Sequence, residues 1–347
     1  MNNNSERIAI VLPVFNVENY LQECLNSIRN QDYKNFTVFA INDGSTDNSG
    51  IILDEYSRID KRFLVTHKKN EGVSAARNTA LEAIEKNGSF DGICFIDGDD
   101  YIKQNFLSTF ITLSRRYNAD YVVSAWESFD KTGTVNFIRN HSPDHPNKCI
   151  NTDEAYEHFI YSSKWKNKTK TCSFFCSNRY FSSQTIHGIR FDTSLKSGED
   201  QDFLIRAISR TKRGVITNTV TYMYRIRASS ISHFPTNYLC NMLFSHKLLK
   251  QLEKFPTSGI RIIEYLACKY WWACTYLSII DGSFPKKRPK IDEAYKNIRF
   301  HNFHNKDILN KYQNKIFIYS LGIPALYIYS FLKKKKKIKT TSLNAFP

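Results

Sequence analysis

Short apolar runs that alternate with amphipathic segments constrain the fold of this chain more than any other feature. Ile8–Val14 is a continuous apolar run, typical of a strand that is buried on both faces of a sheet. The next segment has apolar residues at helical spacing, namely Val17, Tyr20, Leu21, Cys24, Leu25 and Ile28. The alternation continues to residue 124. It predicts an α/β fold with βαβ units, a mostly parallel central sheet and flanking helices.

The remaining elements of this region can be placed from the same alternation. Further strands are predicted at about 36–41, 63–66, 92–96 and 119–124, and helices at about 48–58, 73–87 and 103–117. Ligands of such sheets bind beyond the carboxyl ends of the strands. Two acidic stretches fall at such ends, residues 42–47 after the second strand and residues 97–100 after the fourth. We therefore expect a site at this edge of the sheet.

The stretch at 97–100 carries three carboxylates, those of Asp97, Asp99 and Asp100, around a single glycine. Carboxylates this close repel each other unless a cation lies among them, and oxygen ligands suit a divalent ion such as Mg²⁺ or Mn²⁺. An acidic turn that caps the helix predicted from residue 103 is the alternative, since acidic side chains stabilise helix N-termini. These residues alone leave both interpretations open.

The segments around Asp43 and Arg77 are further candidates with ordinary alternatives. Asp43 precedes Gly44 in a turn, where its carboxylate can accept a hydrogen bond from the imide of a uracil or merely belong to a turn and helix cap. Arg77 follows Gly72 and small residues at the start of a helix, which suits either an anion-binding edge or a surface charge.

Two later stretches also contain candidates. Asp200, with Glu199 beside it, precedes an apolar helical run and is either a general base or the N-cap of that helix. Arg225 and Arg227 lie in an aromatic and hydroxyl-rich stretch. They suit a diphosphate, because guanidinium groups donate in pairs, but an exposed strand with a loop is the alternative.

Positive charge is concentrated in the C-terminal part of the chain. Residues 1–232 contain 29 basic and 27 acidic side chains, whereas residues 233–347 contain 20 basic and 6 acidic ones. From residue 238 the pattern becomes helical, and 283–290 reads as a basic linker broken by prolines. We therefore predict two domains, an α/β domain at 1–235 and a helical, basic region at 236–347. Such a region has either a solvating role or an anionic partner, and the candidate partners are nucleic acid and an anionic membrane surface.

Residues 316–332 are free of charge and are followed by Lys333 and four further lysines. Their length is at the lower limit for a membrane span, and Gly322 and Pro324 interrupt them. An interfacial helix with a polybasic end, a short span and a buried core helix all fit this pattern. The N-terminus has no apolar stretch typical of a secretory signal, and the eight cysteines have no framework spacing, so we expect reduced thiols in the cytoplasm.

Several of these motifs in one order resemble the family 2 glycosyltransferases, in particular the bacterial enzymes that build capsule, exopolysaccharide and lipopolysaccharide. The resemblance is carried by residues 12–16 (Leu-Pro-Val-Phe-Asn), 42–47, 72–78, 97–100, 198–200 and 224–232. It is dense over about 7–130, returns at 190–233 and does not extend to the tail. Two positions depart from the family pattern, Asn42 in place of an acid and Gly98 where serine is common.

This resemblance implies a GT-A (Rossmann-like) fold and an inverting, metal-dependent transfer from a nucleotide sugar. By the habit of the family the donor is a UDP-sugar and the acceptor is a glycan or a lipid-linked glycan in surface polysaccharide biosynthesis. The metal ion is Mg²⁺ or Mn²⁺. We accordingly expect a cytoplasmic protein at the periphery of the inner membrane, held on its anionic surface by the basic region and without a nucleic-acid partner.

The resemblance also assigns roles to individual positions. Asp200 resembles the catalytic base, and Glu199 stands beside it. The resemblance implies that Asp43 reads the base and that Pro13 and Phe15 form the base-stacking edge. It also implies that Asp97 and Asp99 contact ribose and the metal-bound diphosphate and that Asp100 shares the metal. The residues expected to bind the nucleotide sugar are Arg77, Arg225 and Arg227.

Two other functions are compatible with parts of the sequence. A sugar-phosphate nucleotidyltransferase uses a similar sheet, but the stretches at 198–200 and 224–227 argue against it. A non-enzymatic basic protein that binds nucleic acid or a membrane is the second alternative. The positive excess lies in the tail beside an apolar run, which favours lipid over nucleic acid.

Overall fold

The computed structural model describes residues 6–133, 136–138, 146–161, 175–195, 198–227, 238–280, 283–299, 312–313 and 315–316. The chain forms two compact units, residues 1–233 and residues 234–347. Each unit is described by itself below.

The first unit alternates strands and helices as the apolar pattern predicts. Its strands are β1 Ile8–Val14, β2 Phe36–Asp43, β3 Phe63–Lys68, β4 Gly92–Phe95, β5 Tyr101–Ile102, β6 Tyr121–Phe129, β7 Asn136–Ile138, β8 Asn147–Ile150, β9 Arg179–Ser182 and β10 Gly214–Arg225. Its helices are α1 Glu18–Arg29, α2 Ser49–Ile59, α3 Val73–Lys86, α4 Phe106–Tyr117, α5 Thr152–Tyr161, α6 Ser183–Ile186 and α7 Glu199–Ile208.

The strands form one sheet in the order β3-β2-β1-β4-β9-β6-β10-β5, with β7 added to β6 and β8 to β10. Strands β3, β2, β1 and β4 are parallel neighbours, and β6 is parallel to β10. The short strand β9 runs antiparallel between β4 and β6. The predicted α/β fold with its parallel core is confirmed. The added antiparallel strands escaped prediction because their segments have no regular apolar pattern.

The core forms where the sequence places its apolar faces. All seven residues of β1 are buried, as expected for a parallel strand covered on both sides. In α1 the predicted stripe is buried at Leu21, Cys24, Leu25 and Ile28. Because the parallel strands end together, the loops that follow β1, β2 and β4 meet at one edge of the sheet.

At this edge the starts of α1 and α2 cap each other. The Asp47 carboxylate accepts hydrogen bonds from the backbone N–H of Glu18 at 3.0 Å and of Ser49 at 2.9 Å. The Glu18 carboxylate in turn accepts from the backbone N–H of Asn48 at 2.9 Å. These bonds satisfy backbone donors that a helix start leaves unpaired, so they hold the loop after β2 against the loop after β1.

The second unit contains α8 Tyr238–Leu249, α9 Thr257–Ile280 and α10 Phe284–Arg299. The prediction of a linker at 283–290 was wrong, because α10 runs through this segment and includes Pro289. The helix buries Ile291, Ala294, Tyr295 and Ile298, a stripe at helical spacing. Burial of this face offsets the backbone hydrogen bond that Pro289 cannot donate.

None of the helices in the described part of the chain is long and apolar enough to cross a bilayer. The uncharged segment predicted at 316–332 and the lysines after it lie outside the described residues, except for Ile316. Among the cysteines with described side chains, Cys149 is exposed and the other five are buried, and none of the six forms a disulfide.

Gly44 provides a test of how the loops at the sheet edge are held. Its φ is +71°, and an added Cβ would lie 2.7 Å from the backbone N of Asn70. Gly133 has a similar φ of +76° but open space around it. An alanine costs about 1–2 kcal/mol at a left-handed position, and at Gly44 the contact with Asn70 adds to this cost.

We therefore expect Gly44→Ala to lower the free energy of unfolding by at least about 1 kcal/mol more than Gly133→Ala does, measured by urea denaturation. Equal losses in the two variants would show that Asn70 does not pack against Gly44.

Candidate active site

The guanidinium group of Arg77 joins the acidic stretches that the sequence places far apart. It donates from Nη2 to Asp97 Oδ1 at 2.9 Å and from Nη1 to Asp200 Oδ1 at 2.6 Å. Glu199 Oε1 lies 3.8 Å from Nη1. The Arg77 side chain is only 4% exposed, so these charges face each other with little screening by water. The loop after β4 and the start of α7 thus meet at one cation.

Packing behind Arg77 fixes its position. Asn78 and Phe191 exchange two hydrogen bonds, from Asn78 Nδ2 to the Phe191 carbonyl at 2.9 Å and from the Phe191 N–H to Asn78 Oδ1 at 2.8 Å. Phe191 lies under the Arg77 guanidinium at 5.1 Å and stacks on Phe203 of α7 at 4.2 Å. These contacts hold α3 and α7 together, and with them Arg77 and its two carboxylate partners.

The loop after β4 is held by donors on β10 and beyond it. Asp100 is 1% exposed and accepts hydrogen bonds from the Tyr222 hydroxyl at 2.7 Å and from the Arg225 backbone N–H at 2.8 Å. The Tyr222 hydroxyl also accepts from the Asp97 N–H at 3.2 Å. Asp99 Oδ2 pairs with Arg227 Nη2 at 2.6 Å. Each of the three carboxylates therefore has partners of its own.

Arg225 is bound on several sides next to this loop. Its Nε donates to the Asp99 carbonyl at 2.8 Å, and its Nη2 pairs with Glu23. The guanidinium also lies 4.9 Å from the ring centre of Tyr20 and 4.5 Å from that of Phe129. The sequence-predicted arginines are thus placed beside the acidic loop, where the resemblance expects a diphosphate.

Acidic side chains outnumber the arginines in the site. The carboxyl groups of Asp97, Asp99, Asp100, Glu199 and Asp200 lie beside Arg77, Arg225 and Arg227, and the Arg225 guanidinium pairs with a sixth acid, Glu23. Burial and the charge of Asp97 raise the pKa of Asp99, and burial together with Asp99 raises the pKa of Asp100 well above its usual value. The acids of the loop are therefore destabilised in their ionised form.

The pair at the start of α7 shows the same effect. Burial, with the charge of Asp200 added, raises the pKa of Glu199 to about 7. Burial also raises the pKa of Asp200, although Arg77 opposes this shift. The backbone N–H of Cys176 donates to Asp200 Oδ2 at 3.2 Å. Gly198 is the N-cap residue of α7, so Asp200 is not the cap that the alternative interpretation required.

The residues predicted to contact the base lie at the ends of β1 and β2. Phe15 is 47% exposed, which suits a surface for stacking, whereas Pro13 is buried within β1. Asp43 is 2% exposed and accepts from Lys68 Nζ at 2.9 Å and from the N–H groups of Glu71 at 3.1 Å and Gly72 at 2.8 Å. In this structure Asp43 organises the loop before α3, and its role in reading a base stays a prediction.

Sequence reasoning assigned no role to Tyr222, Asn78, Phe191 or Cys176, which position the site. The pairing of Asn78 with Phe191 depends on tertiary contacts that have no local pattern. Tyr222 is part of an aromatic stretch that was noted, but its hydroxyl can be placed only when β10 is known to pass the acidic loop.

Two of the three predicted metal ligands fit a divalent ion. In the described residues no group of three or more His, Cys, Asp and Glu side chains is arranged to hold a metal. Asp100 is 1% exposed and accepts a hydrogen bond at each oxygen, whereas the side chains of Asp97 and Asp99 are 28% and 15% exposed. Mg²⁺ commonly takes one or two carboxylates and completes its shell with phosphate oxygens and water. A cation bound together with a diphosphate therefore fits Asp97 and Asp99.

A comparison with known proteins shows which family the chain belongs to. Residues 9–183, half of the chain, match the family model described as "Glycosyl transferase family 2". The chain belongs to glycosyltransferase family 2. The enzyme class and GT-A fold expected from the motifs are confirmed at the level of this family.

Among its relatives, glycosyltransferase GlyA of Streptococcus pneumoniae is 32% identical over 262 residues, which are 76% of this chain and 36% of GlyA. The minor teichoic acid biosynthesis protein GgaB of Bacillus subtilis is 28% identical over 247 residues, or 70% of this chain and 25% of GgaB. The chain thus spans about a third and a quarter of the lengths of these two relatives.

A solved structure shares the fold of this family 2 chain. S. aureus TarS 1–349 in complex with UDP-GlcNAc superimposes with a TM-score of 0.60 and 19% identity, covering 84% of this chain and 80% of that one. At this identity the likeness supports the fold alone.

Because the pKa of Glu199 is raised, replacement of its carboxyl group by an uncharged amide should stabilise the protein, and this gain should depend on pH. The unfolded side chain loses its proton near pH 4.5, whereas the folded one keeps it to about pH 7. The ionised form is therefore disfavoured in the folded state, and stability falls as the pH rises through this window. Glu199→Gln should raise the free energy of unfolding by about 3 kcal/mol at pH 8, and the gain should vanish towards pH 4.5.

Urea denaturation at a series of pH values measures this gain. Glu82→Gln, an exposed change on α3, is the control and should leave stability nearly unchanged. A gain from Glu199→Gln that is independent of pH would rule out titration of this carboxyl as its cause.

Proposed function

We propose that this chain transfers a sugar, with inversion, from a nucleotide sugar to a hydroxyl group of a glycan or lipid-linked glycan acceptor. The observation that carries the proposal is the convergence of Asp97 and Asp200 on the Arg77 guanidinium. This contact puts the acidic loop expected at the diphosphate next to the residue expected to act as base. Membership of family 2 supports the reaction class.

We assign the donor as a UDP-sugar and the pathway as surface polysaccharide biosynthesis. The fold shared with TarS, which was solved with UDP-GlcNAc, supports the nucleotide, and similarity to GgaB supports the pathway. The exposed ring of Phe15 and the backbone of Pro13 form the edge for the base, with Asp43 beside them. Arg225 and Arg227 lie next to the acidic loop and suit the negative charge of the diphosphate.

We assign Asp97 and Asp99 as ligands of Mg²⁺ or Mn²⁺ in the donor complex. The charge imbalance of the site supports this assignment, because a diphosphate adds negative charge to carboxylates that already outnumber their guanidinium partners. The chemistry that a bound divalent ion supplies is neutralisation of the nucleoside diphosphate as it leaves. Asp100, buried against Tyr222 and the Arg225 N–H, holds the loop in shape, and its share in the ion stays a prediction.

In the proposed mechanism Asp200 accepts the proton of the acceptor hydroxyl, whose oxygen attacks the anomeric carbon as the bond to the diphosphate breaks. Arg77 and the Cys176 N–H fix the orientation of the Asp200 carboxylate. Burial raises the pKa of Asp200 and so makes it a stronger base than an exposed aspartate. Base catalysis of this kind contributes about 10²–10⁴-fold to the rate.

Asp200→Asn tests this role without a large change in shape. The amide cannot accept the proton, so we expect transfer to fall by about 10²–10⁴-fold while affinity for UDP with Mn²⁺ changes little. A panel of nucleotide sugars with metal, scored for turnover and thermal stabilisation, first identifies the donor for this assay. Asp202→Asn, on the same helix and paired with Arg206, is the control. Undiminished transfer by Asp200→Asn would remove Asp200 from the mechanism.

We further propose that the basic C-terminal region docks the enzyme on the anionic cytoplasmic face of the inner membrane. The excess of 20 basic over 6 acidic residues in 233–347 and the five lysines from Lys333 support this placement. Lysines near an anionic surface contribute about 1 kcal/mol each. Docking there brings the site close to a lipid-linked acceptor.

Deletion of residues 316–347 tests this docking. We expect the full chain to sediment with vesicles that contain anionic lipid at low salt and the truncated chain to stay in the supernatant. Replacement of Lys333 to Lys337 by glutamine is the matched control for charge alone. Equal sedimentation of the full and truncated chains would refute the role of the tail.

A further inference from the structure

Three aromatic side chains form a cluster at the same edge of the sheet, beyond the groups already assigned. Phe175 and Tyr224 stack with ring centres 5.2 Å apart and planes 13° apart. Trp126 meets Tyr224 edge-on at 5.7 Å and Phe175 at 6.2 Å. All three side chains are half-buried, so this aromatic cluster contributes to the surface of the first unit.

The aromatic cluster is joined to the site on two sides. Phe175 precedes Cys176, whose N–H donates to Asp200 at 3.2 Å. Tyr224 precedes Arg225, whose N–H donates to Asp100 at 2.8 Å. The cluster therefore lies one residue away from backbone groups that bind the proposed base and the acidic loop.

The order of the strands separates the aromatic cluster from the edge assigned to the base. Phe15 follows β1, and Trp126 lies near the end of β6, three strands further along the sheet. At about 4.8 Å per strand this is about 14 Å. The end of β4 and residues 176–178 before β9, which include the N–H group that binds Asp200, lie between Phe15 and Trp126. The acidic loop crosses this edge from β4 to β5, beside β10.

The chemistry of the aromatic cluster suits an uncharged ring. The nearest charged side chain of β6, Glu127, is paired with Lys103 at 3.5 Å. The indole N–H of Trp126 is buried and has no acceptor among the described residues, and an unpaired buried donor marks a place where an ordered water or a ligand oxygen is expected. Aromatic rings bearing a few polar groups are typical of ligand sites, and the C–H face of a pyranose stacks on them.

We propose that the aromatic cluster of Trp126, Phe175 and Tyr224 binds a pyranose ring of the acceptor and presents its hydroxyl group to Asp200. This inference rests on the proposed function, because it assigns a substrate to the side of the site opposite the nucleotide. It also makes the acceptor of this enzyme a sugar rather than an open-chain polyol.

The test compares Phe175→Ala and Trp126→Leu with the unchanged protein. The acceptor probes are methyl β-D-glucoside, methyl β-D-galactoside and methyl N-acetyl-β-D-glucosaminide, observed by saturation-transfer NMR and as substrates. We expect at least one probe to bind, its KM to rise at least tenfold in both variants, and the Kd for UDP with Mn²⁺ to stay within twofold. Tyr117→Ala, a half-buried aromatic change at the opposite edge of the sheet, should alter neither value.

Any of three results would overturn the inference. In the first, the unchanged protein binds UDP but none of the three probes, and in the second, the acceptor KM is the same in both variants as in the unchanged protein. In the third, both variants lose affinity for UDP as well as for the acceptor, which would make the cluster part of the donor site or of the fold. Failure of the unchanged protein to bind UDP or to turn over any nucleotide sugar would instead refute the proposed function itself.

Discussion

A buried guanidinium between carboxylates from two distant stretches is the interaction on which the site depends. Arg77 is held from below by Phe191 and binds Asp97 on one side and Asp200 on the other. Removal of one member of such a buried group leaves the others without compensation, which typically costs 3–5 kcal/mol. The contact therefore fixes the distance between the acidic loop and α7, and the positions of both follow from it.

The same concentration of charge explains why the site is arranged at a cost to stability. Acidic side chains outnumber the arginines of the site, and burial, together with the charge of neighbouring acids, raises the pKa values of Asp99, Glu199 and Asp200. In the proposed donor complex a divalent cation balances the two negative charges of the diphosphate, so the donor can bind beside these acids without adding to their repulsion. Asp100 supports the loop through Tyr222 and the Arg225 N–H, and its predicted share in the metal stays a prediction.

Much of the fold could be predicted from the sequence because the spacing of apolar residues within each segment indicates whether it forms a strand or a helix. The buried run of β1 and the stripe of α1 specify a parallel sheet with helices on its faces, and the carboxyl ends of its strands specify the edge where Asp43 and Asp97 lie. The helix at Phe284–Arg299 was missed because two prolines suggested a linker while the buried stripe from Ile291 decided the outcome. The prolines indicated a break in the helix, but the packing of its buried face stabilises the helical conformation.

The residues that meet at the candidate site could be named from the sequence, but the contacts between them could not. The motif order named Arg77, Asp97 and Asp200, but it did not predict that the Arg77 guanidinium lies between the two carboxylates. The expected contact of Arg77 with the nucleotide sugar stays a prediction. No spacing in the sequence brings residue 77 to residue 200, since the contact depends on the packing of α3 against α7 through Asn78, Phe191 and Phe203. The aromatic cluster is likewise made by three segments that share no local pattern.

A double-mutant cycle between Arg77→Met and Asp200→Asn, read as free energies of unfolding in urea, tests the central claim most directly. Contact between the two groups predicts that Arg77→Met is less destabilising in the Asp200→Asn background than in the unchanged protein, by about 1–3 kcal/mol. The cycle of Arg77→Met with Asp202→Asn, whose partner is Arg206, should be additive within about 0.5 kcal/mol. Additivity in both cycles would contradict the convergence of these carboxylates on Arg77.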